Sequence, residues 1–125
     1  MKNLIQKAIE VREKAYAPYS HFKVGALVVA DNGKEYCGVN VENASYGLTN
    51  CAERSAIFSA IADGANRIQK VFIVADTIEP ISPCGACRQV ISEFCDSSVE
   101  VIMANLNGKY TSMTVMELLP GAFKL

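Results

Sequence analysis

Two Asn-Gly pairs, Asn32-Gly33 and Asn107-Gly108, constrain the fold of this chain more than any other feature. Both residue types accept the positive φ angles of a type I′ turn, so the first pair should fold residues 24–30 (VGALVVA) back along 35–39. The second marks another tight turn, between strands over 99–104 and 109–113. Residues 70–76 (KVFIVAD), rich in β-branched side chains, read as a fifth strand between the hairpins. A first helix is expected over 4–17, capped by Asn3 with Gln6 three residues on and stopped by Pro18; Leu4, Ile5, Ala8, Ile9 and Val11 form its apolar stripe. A second starts near Asn50 or Cys51 and ends at Gly64, and a third opens with Ser82 as cap and Pro83 in first position, reaching Phe94. Thr114 with Glu117 caps a short last helix that Pro120 ends, and residues 40–49 read as a polar loop. Two hairpins flanking a βαβ unit imply a five-stranded mixed sheet with helices on both faces, a three-layer α/β/α sandwich in a single domain over residues 1–125.

Composition narrows the function classes. Lys plus Arg number 12 and Asp plus Glu 13, without a run of like charge, so the basic footprint of a nucleic-acid binder is missing. The first residues, MKNLIQKAIEVREK, alternate apolar and charged groups at helical spacing and resemble neither a signal peptide nor a membrane span. The expected compartment is therefore the cytoplasm, where thiols stay reduced, and an odd count of five cysteines also argues against a disulfide framework.

The thiols then need another purpose. Cys84 and Cys87, in PCGACRQV, sit three apart at a helix start, with their sulfurs on one face. That spacing serves a dithiol oxidoreductase, a zinc-stabilised binding module or a catalytic zinc site. A third cysteine, Cys51, opens another helix in NCAERSA, with Glu53 two residues later. Three thiolates at two helix starts suit tetrahedral zinc, and the partial positive charge of each helix terminus favours the ionised sulfur. Cys95 lies eight residues beyond Cys87 on the same helix, a rise of roughly 12 Å, too far to share the metal. Cys37 reads as a small buried hydrophobe in a strand. Glu53 either completes a capping box with Asn50 or faces the open metal position. The second reading requires Cys51 to precede the helix, because positions two apart on a helix point about 200° apart. His21, the only histidine, reads as a loop residue.

Cys51-Ala52-Glu53 followed by Pro83-Cys84-Gly85-Ala86-Cys87 resembles the two-part signature of the zinc-dependent cytidine deaminases. Cysteine rather than histidine at the first ligand position resembles the small, homotetrameric members. The resemblance extends over PYSHFKVGA, NVENASYG and the terminal LLPGAF, and so over nearly the whole chain. It implies a cytidine deaminase-like fold, one Zn²⁺ per subunit on Cys51, Cys84 and Cys87, and Glu53 as the group that moves protons between water and the pyrimidine. Arg54 would hydrogen-bond the ligand sulfurs and offset their charge, its alternative being an exposed helix arginine. Asn40 and Glu42 would bind the ribose 3′-hydroxyl, Phe22 would pack on the base, and the Ala52 backbone N–H would meet the base carbonyl. Read alone, Asn40 and Glu42 are equally a solvated turn, and Phe22 a core residue. Phe123 and Tyr46 resemble residues lent to a neighbouring subunit's site; the alternative for Phe123 is to fold back on its own core. The implied substrate is a free nucleoside, cytidine or 2′-deoxycytidine, with no nucleic-acid or membrane partner. A deaminase of another aminopyrimidine compound, such as blasticidin S, shares the zinc segments and stays open.

Overall fold

The computed structural model describes all 125 residues. The elements follow the expected order: α1 (Lys2–Arg12), β1 (Val24–Ala30), β2 (Glu35–Val39), α2 (Ala52–Ala62), β3 (Ile68–Ala75), α3 (Gly85–Phe94), β4 (Glu100–Asn105), β5 (Tyr110–Thr114) and α4 (Val115–Leu118), with one 3₁₀ turn at Tyr46–Leu48. The strands form one sheet in the order β2-β1-β3-β4-β5. Only β3 and β4, joined by the α3 crossover, run parallel; every other neighbour is antiparallel.

Helices cover both faces, giving the three layers expected. On one face Ile5 and Ala8 of α1 pack on Leu27, Phe72, Val74, Ile102 and Ala104. On the other, α2, α3 and α4 bury Ala56, Ile57, Ile91 and Leu118 against Val28, Val71, Ile73 and Val101. Burying each Leu, Ile or Phe fully contributes about 1.5–3 kcal/mol, so the central strand β3, buried over Val71 to Ala75, anchors both layers. Two glycines let helices approach the sheet closely. A Cβ on Gly38 of β2 would collide with the Ala52 carbonyl oxygen and the Ala56 nitrogen of α2, and one on Gly25 of β1 with the Ala8 carbonyl oxygen of α1.

Several local details differ from those expected. Neither hairpin uses a type I′ turn, because Asn32 and Asn107 keep negative φ while Gly33 (+81°) and Gly108 (+86°) alone are left-handed. Inside the last bonded pairs, Ala30 N–H to Lys34 O and Asn105 N–H to Lys109 O, each loop has three residues, closed by Gly33 N–H to Ala30 O and Gly108 N–H to Asn105 O, a type I turn followed by a left-handed glycine. The Asn32 side chain supports this form by accepting from Lys34 N–H and donating to the Tyr36 hydroxyl. Helix α1 begins after Met1 with no side-chain cap, so Asn3 lies inside it. It ends before residue 17 because Tyr16 is claimed by Val41: Tyr16 N–H donates to Asn40 O and Tyr16 O accepts from Glu42 N–H. Helix α3 starts two residues later than Ser82 and Pro83 imply, with Cys84 as its cap. Cys37 is exposed, not buried: on the edge strand β2, Tyr36 and Gly38 turn inward while Cys37 faces the rim near Lys7 and Glu35. The end of α2 is as expected, with Gly64 at φ +97° and Ala65 N–H reaching back to Ala60 O. Thr114 and Glu117 form the capping box of α4.

Candidate metal centre

The amino ends of α2 and α3 meet beside β1 and β3. Cys51 and Cys84 are the two N-cap residues and Cys87 lies in the first turn of α3. Their sulfurs all lie within 4.8 Å of one another, with Cys84 and Cys87 3.4 Å apart. A tetrahedral site with metal–sulfur bonds of ~2.3 Å sets its sulfurs about 3.8 Å apart, so the donors fit zinc with small adjustment and leave a fourth position open. Cys95 does not belong to this cluster: it caps the far end of α3, where burial pushes its thiol up to about 12. His21 stays in a loop, as the only non-glycine residue with positive φ (58°).

Cys51 has extended backbone angles, φ −82° and ψ 158°, so it precedes the helix as the geometry with Glu53 requires. The Asn50–Glu53 capping box does not form; Asn50 pairs with Val41 through its backbone, and its side chain donates to Ser55 Oγ. Glu53 is 5% exposed and paired with no cation. Burial, reinforced by the negative charge of Cys51, raises its carboxyl above the usual range. Arg54 is half-buried rather than exposed: Nη2 donates to Cys51 Sγ at 3.0 Å, and Nε is buried with no acceptor in the chain. The Cys51 thiol falls to about 5, first through the hydrogen bond from Cys87 and then through Arg54, while Cys87 is raised because it is that donor and is buried. A bound dication favours thiolate at each.

A cavity of about 280 Å³ opens beside the sulfurs, with Cys51, Ala52 and Glu53 on one wall and Phe22, Asn40 and Glu42 across it. Asn40 clamps the loop before β1, its Oδ1 accepting from Val24 N–H at 2.9 Å and its Nδ2 donating to Phe22 O at 2.8 Å. Glu42 Oε1 accepts from the backbone N–H groups of Tyr19 and Ser20, and Oε2 from the Ser20 hydroxyl. Those bonds, the hydroxyl first, hold its carboxyl below the usual carboxylate range. Asn40 and Glu42 are therefore not a free solvated turn. Phe22 is 39% exposed at the cavity and is not a core residue. Tyr46 stands edge-on to Tyr19 over an adjoining cleft beyond Glu42, and Phe123 is 68% exposed. Neither lines the metal cavity of its own chain, and Phe123 does not fold back on its core. Ser20 and Pro83, to which the sequence assigned no part in the substrate site, also line the cavity. The signal for Ser20 was available, since an acceptor-only carboxylate at Glu42 needs local donors.

Three clustered cysteines and a buried glutamate on a mixed α/β sheet define a zinc-binding hydrolase class. The family model of the cytidine and deoxycytidylate deaminase zinc-binding region matches residues 1–103, and the chain belongs to that family. It is 51% identical over 123 residues to a cytidine deaminase of Sporosarcina psychrophila, covering 98% of this chain and 90% of that one. A cytidine deaminase of Halalkalibacterium halodurans is 52% identical over 120 residues, covering 96% and 91%. The crystal structure of cytidine deaminase from Burkholderia pseudomallei superposes with a TM-score of 0.94 at 51% identity, covering 98% of both chains. Family membership displaces the dithiol oxidoreductase and the non-enzymatic zinc module.

Proposed function

We propose that this chain hydrolyses free cytidine and 2′-deoxycytidine to uridine and 2′-deoxyuridine with release of ammonia, a reaction of pyrimidine salvage. The observation that carries the reading is the buried Glu53 carboxyl, paired with no cation, in the wall of a cavity that Cys51 and Cys84 also line, with Cys87 buried behind them in the same sulfur cluster. Two full-length relatives at about half identity carry the same activity in their names.

Cys51, Cys84 and Cys87 would hold the zinc, which would supply Lewis acidity toward the attacking water. Glu53 would accept a proton from the water attacking C4 of the pyrimidine and deliver it to ring N3, then take a second proton from the new C4 hydroxyl and pass it to the amino group, which leaves as ammonia as the C4 carbonyl forms. Burial raises its carboxyl above the usual range, which suits a group that must both take and return a proton. Three thiolates around a dication leave a net charge of −1, and the Arg54 guanidinium draws some of it away through Cys51. Ala52 N–H, at the start of α2 where no intrahelical acceptor is available, meets the base carbonyl. Phe22 packs on the ring, and Asn40 and Glu42 bind the 3′-hydroxyl. Glu42, ionised and held by Ser20, accepts from a hydroxyl and repels a phosphate there, which favours a free nucleoside over nucleic acid.

Tyr46 and Phe123 serve a neighbouring subunit's site in a homotetramer of single-domain subunits. No helix is long and apolar enough to cross a membrane, which is compatible with the proposed cytoplasmic location. An ultraviolet assay of the purified protein with cytidine, alongside zinc stoichiometry, tests the reading: turnover with one zinc per subunit is expected, and zinc-loaded protein inert toward both nucleosides would overturn it.

A further inference from the structure

The three sulfurs are held in place by different means. Cys87 is fully buried in the core, and Cys51 accepts a hydrogen bond from Arg54. Cys84 has neither support: its side chain is exposed, no cation contacts its sulfur, and its one side-chain hydrogen bond is to the neighbouring Cys87 sulfur. What fixes it is its backbone, and both carbonyls that flank its α-carbon are bound by one residue. Arg88 Nε donates to Pro83 O at 2.9 Å, and the Arg88 backbone N–H donates to Cys84 O at 2.9 Å. The same guanidinium continues to Leu118 O at 2.7 Å, a carbonyl at the end of α4 without an intrahelical partner. Pro83 and Leu118 are both buried, so neither carbonyl has water as an easy substitute. A planar fork of donors spans two such acceptors, whereas a lysine ammonium is a point donor.

We propose that Arg88 is a positioning residue of the metal centre: it locks the Pro83–Cys84 peptide against the end of α4 and thereby aims the Cys84 sulfur at the metal. The lock accounts for the late start of α3, since the Pro83 carbonyl turned to Arg88 leaves Pro83 outside the helix and Cys84 as an extended cap at φ −67° and ψ 168°. It also ties the metal-binding turn to the chain's last residues. Gln89 Nε2 donates to Phe123 O and Lys124 Nζ to Ser92 O, so α3 carries both the cysteine pair and the terminal segment.

The inference rests on the three-cysteine reading of the metal centre but not on the identity of the substrate. Its test is the rate of zinc release from the loaded, substrate-free protein to excess 4-(2-pyridylazo)resorcinol, in the parent, Arg88→Ala, Arg88→Lys and Arg67→Ala. Arg67 is the control for general loosening of α3, because it also binds that helix, at Glu93 O and Asp96, but away from the metal. Arg88→Ala is expected to release zinc at least about tenfold faster, in line with losses seen when groups that orient metal ligands are removed. Arg88→Lys, which keeps the charge but not the fork, should also release faster, and methylguanidinium should slow release from Arg88→Ala. Arg67→Ala should match the parent even if its thermal midpoint falls. Should Arg88→Ala fail to fold, Arg88→Lys carries the comparison. Parent-like release from the Arg88 variants, or equal acceleration by Arg67→Ala, overturns the proposal. A parent that binds zinc but ignores cytidine would refute only the substrate reading, while a parent without zinc would refute the metal centre itself.

Discussion

Gly38 sets how closely the helix bearing Cys51 and Glu53 approaches the sheet, and Gly38→Ala tests that directly. The added Cβ would stand 3.0 Å from Ala56 Cα, and closer still to the Ala52 carbonyl oxygen and the Ala56 nitrogen. Carbon atoms pack at about 3.5–4.0 Å, so α2 must withdraw by roughly 0.5–1 Å. All three obstructing atoms are backbone, which leaves no rotamer to relieve the clash. Overpacking costs typically 1–3 kcal/mol, and this substitution should fall near the upper end, about 3 kcal/mol. For a chain of this size that lowers the thermal midpoint by roughly 10 °C. The same withdrawal carries Cys51 and Glu53 away from Cys84 and Cys87, and a misplacement near 1 Å can reduce turnover by about 100-fold. Gly25→Ala is the matched control. Its Cβ would lie 2.9 Å from Arg12 Cβ and displace α1, on the opposite face of the sheet from the sulfurs. Denaturant unfolding, zinc content and steady-state kinetics at a temperature where each variant is folded separate the outcomes. Both alanines should lower the midpoint, but only Gly38→Ala should lower kcat strongly. A Gly38→Ala protein with parental midpoint and kcat would refute the close-packing argument, and equal kcat losses in both variants would refute its link to the site.

The other expectations concern single groups. Glu53→Gln should retain zinc and lose turnover, because the metal ligands survive and the proton carrier does not; near-normal activity would remove Glu53 from the mechanism. Cytidine 3′-phosphate should be a very poor substrate beside cytidine, given the ionised Glu42 held by Ser20, and comparable kcat/KM values would contradict that role. Truncation after Gly121 should weaken cytidine binding while zinc stays bound, with sedimentation reporting a tetramer for the parent; a fully active monomer would exclude a shared site. Cys95, 2% exposed, has its pKa raised to about 12 by burial. The unfolded chain therefore loses this proton first, and the contribution of Cys95 to stability is intact below the ordinary thiol value and declines as pH rises toward 12. The decline is at most about 1.4 kcal/mol per pH unit, and Cys95→Ala should flatten that part of the alkaline stability profile in denaturant titrations; identical slopes would count against it.

Local chemistry accounts for what was legible in the sequence. Alternation, β-branched runs and Asn-Gly pairs located all five strands within a residue or two, because turn conformation and side-chain periodicity are properties of neighbouring residues. Cys51, Glu53, Cys84 and Cys87 stood out for a related reason, since few residue types hold zinc or move its protons and their spacing at two helix starts is short-range. Competition for the backbone was decided elsewhere. Whether α1 continued past Arg12 depended on Val41, which pairs with Tyr16 across the loop, and whether Pro83 opened α3 depended on Arg88 and on Leu118 thirty residues further along. The exposure of Cys37 followed from β2 being the sheet's edge, which no window around Cys37 contains. The Asn40 amide and the Glu42 carboxylate looked like solvated turn residues because their partners, Phe22, Val24, Tyr19 and Ser20, lie some twenty positions away. Residue type and near spacing thus set which groups were available for chemistry and which segments were strands. The tertiary structure decided where helices stop and which polar side chains hold the site, because a buried hydrogen-bonding group takes the partner that folding brings to it.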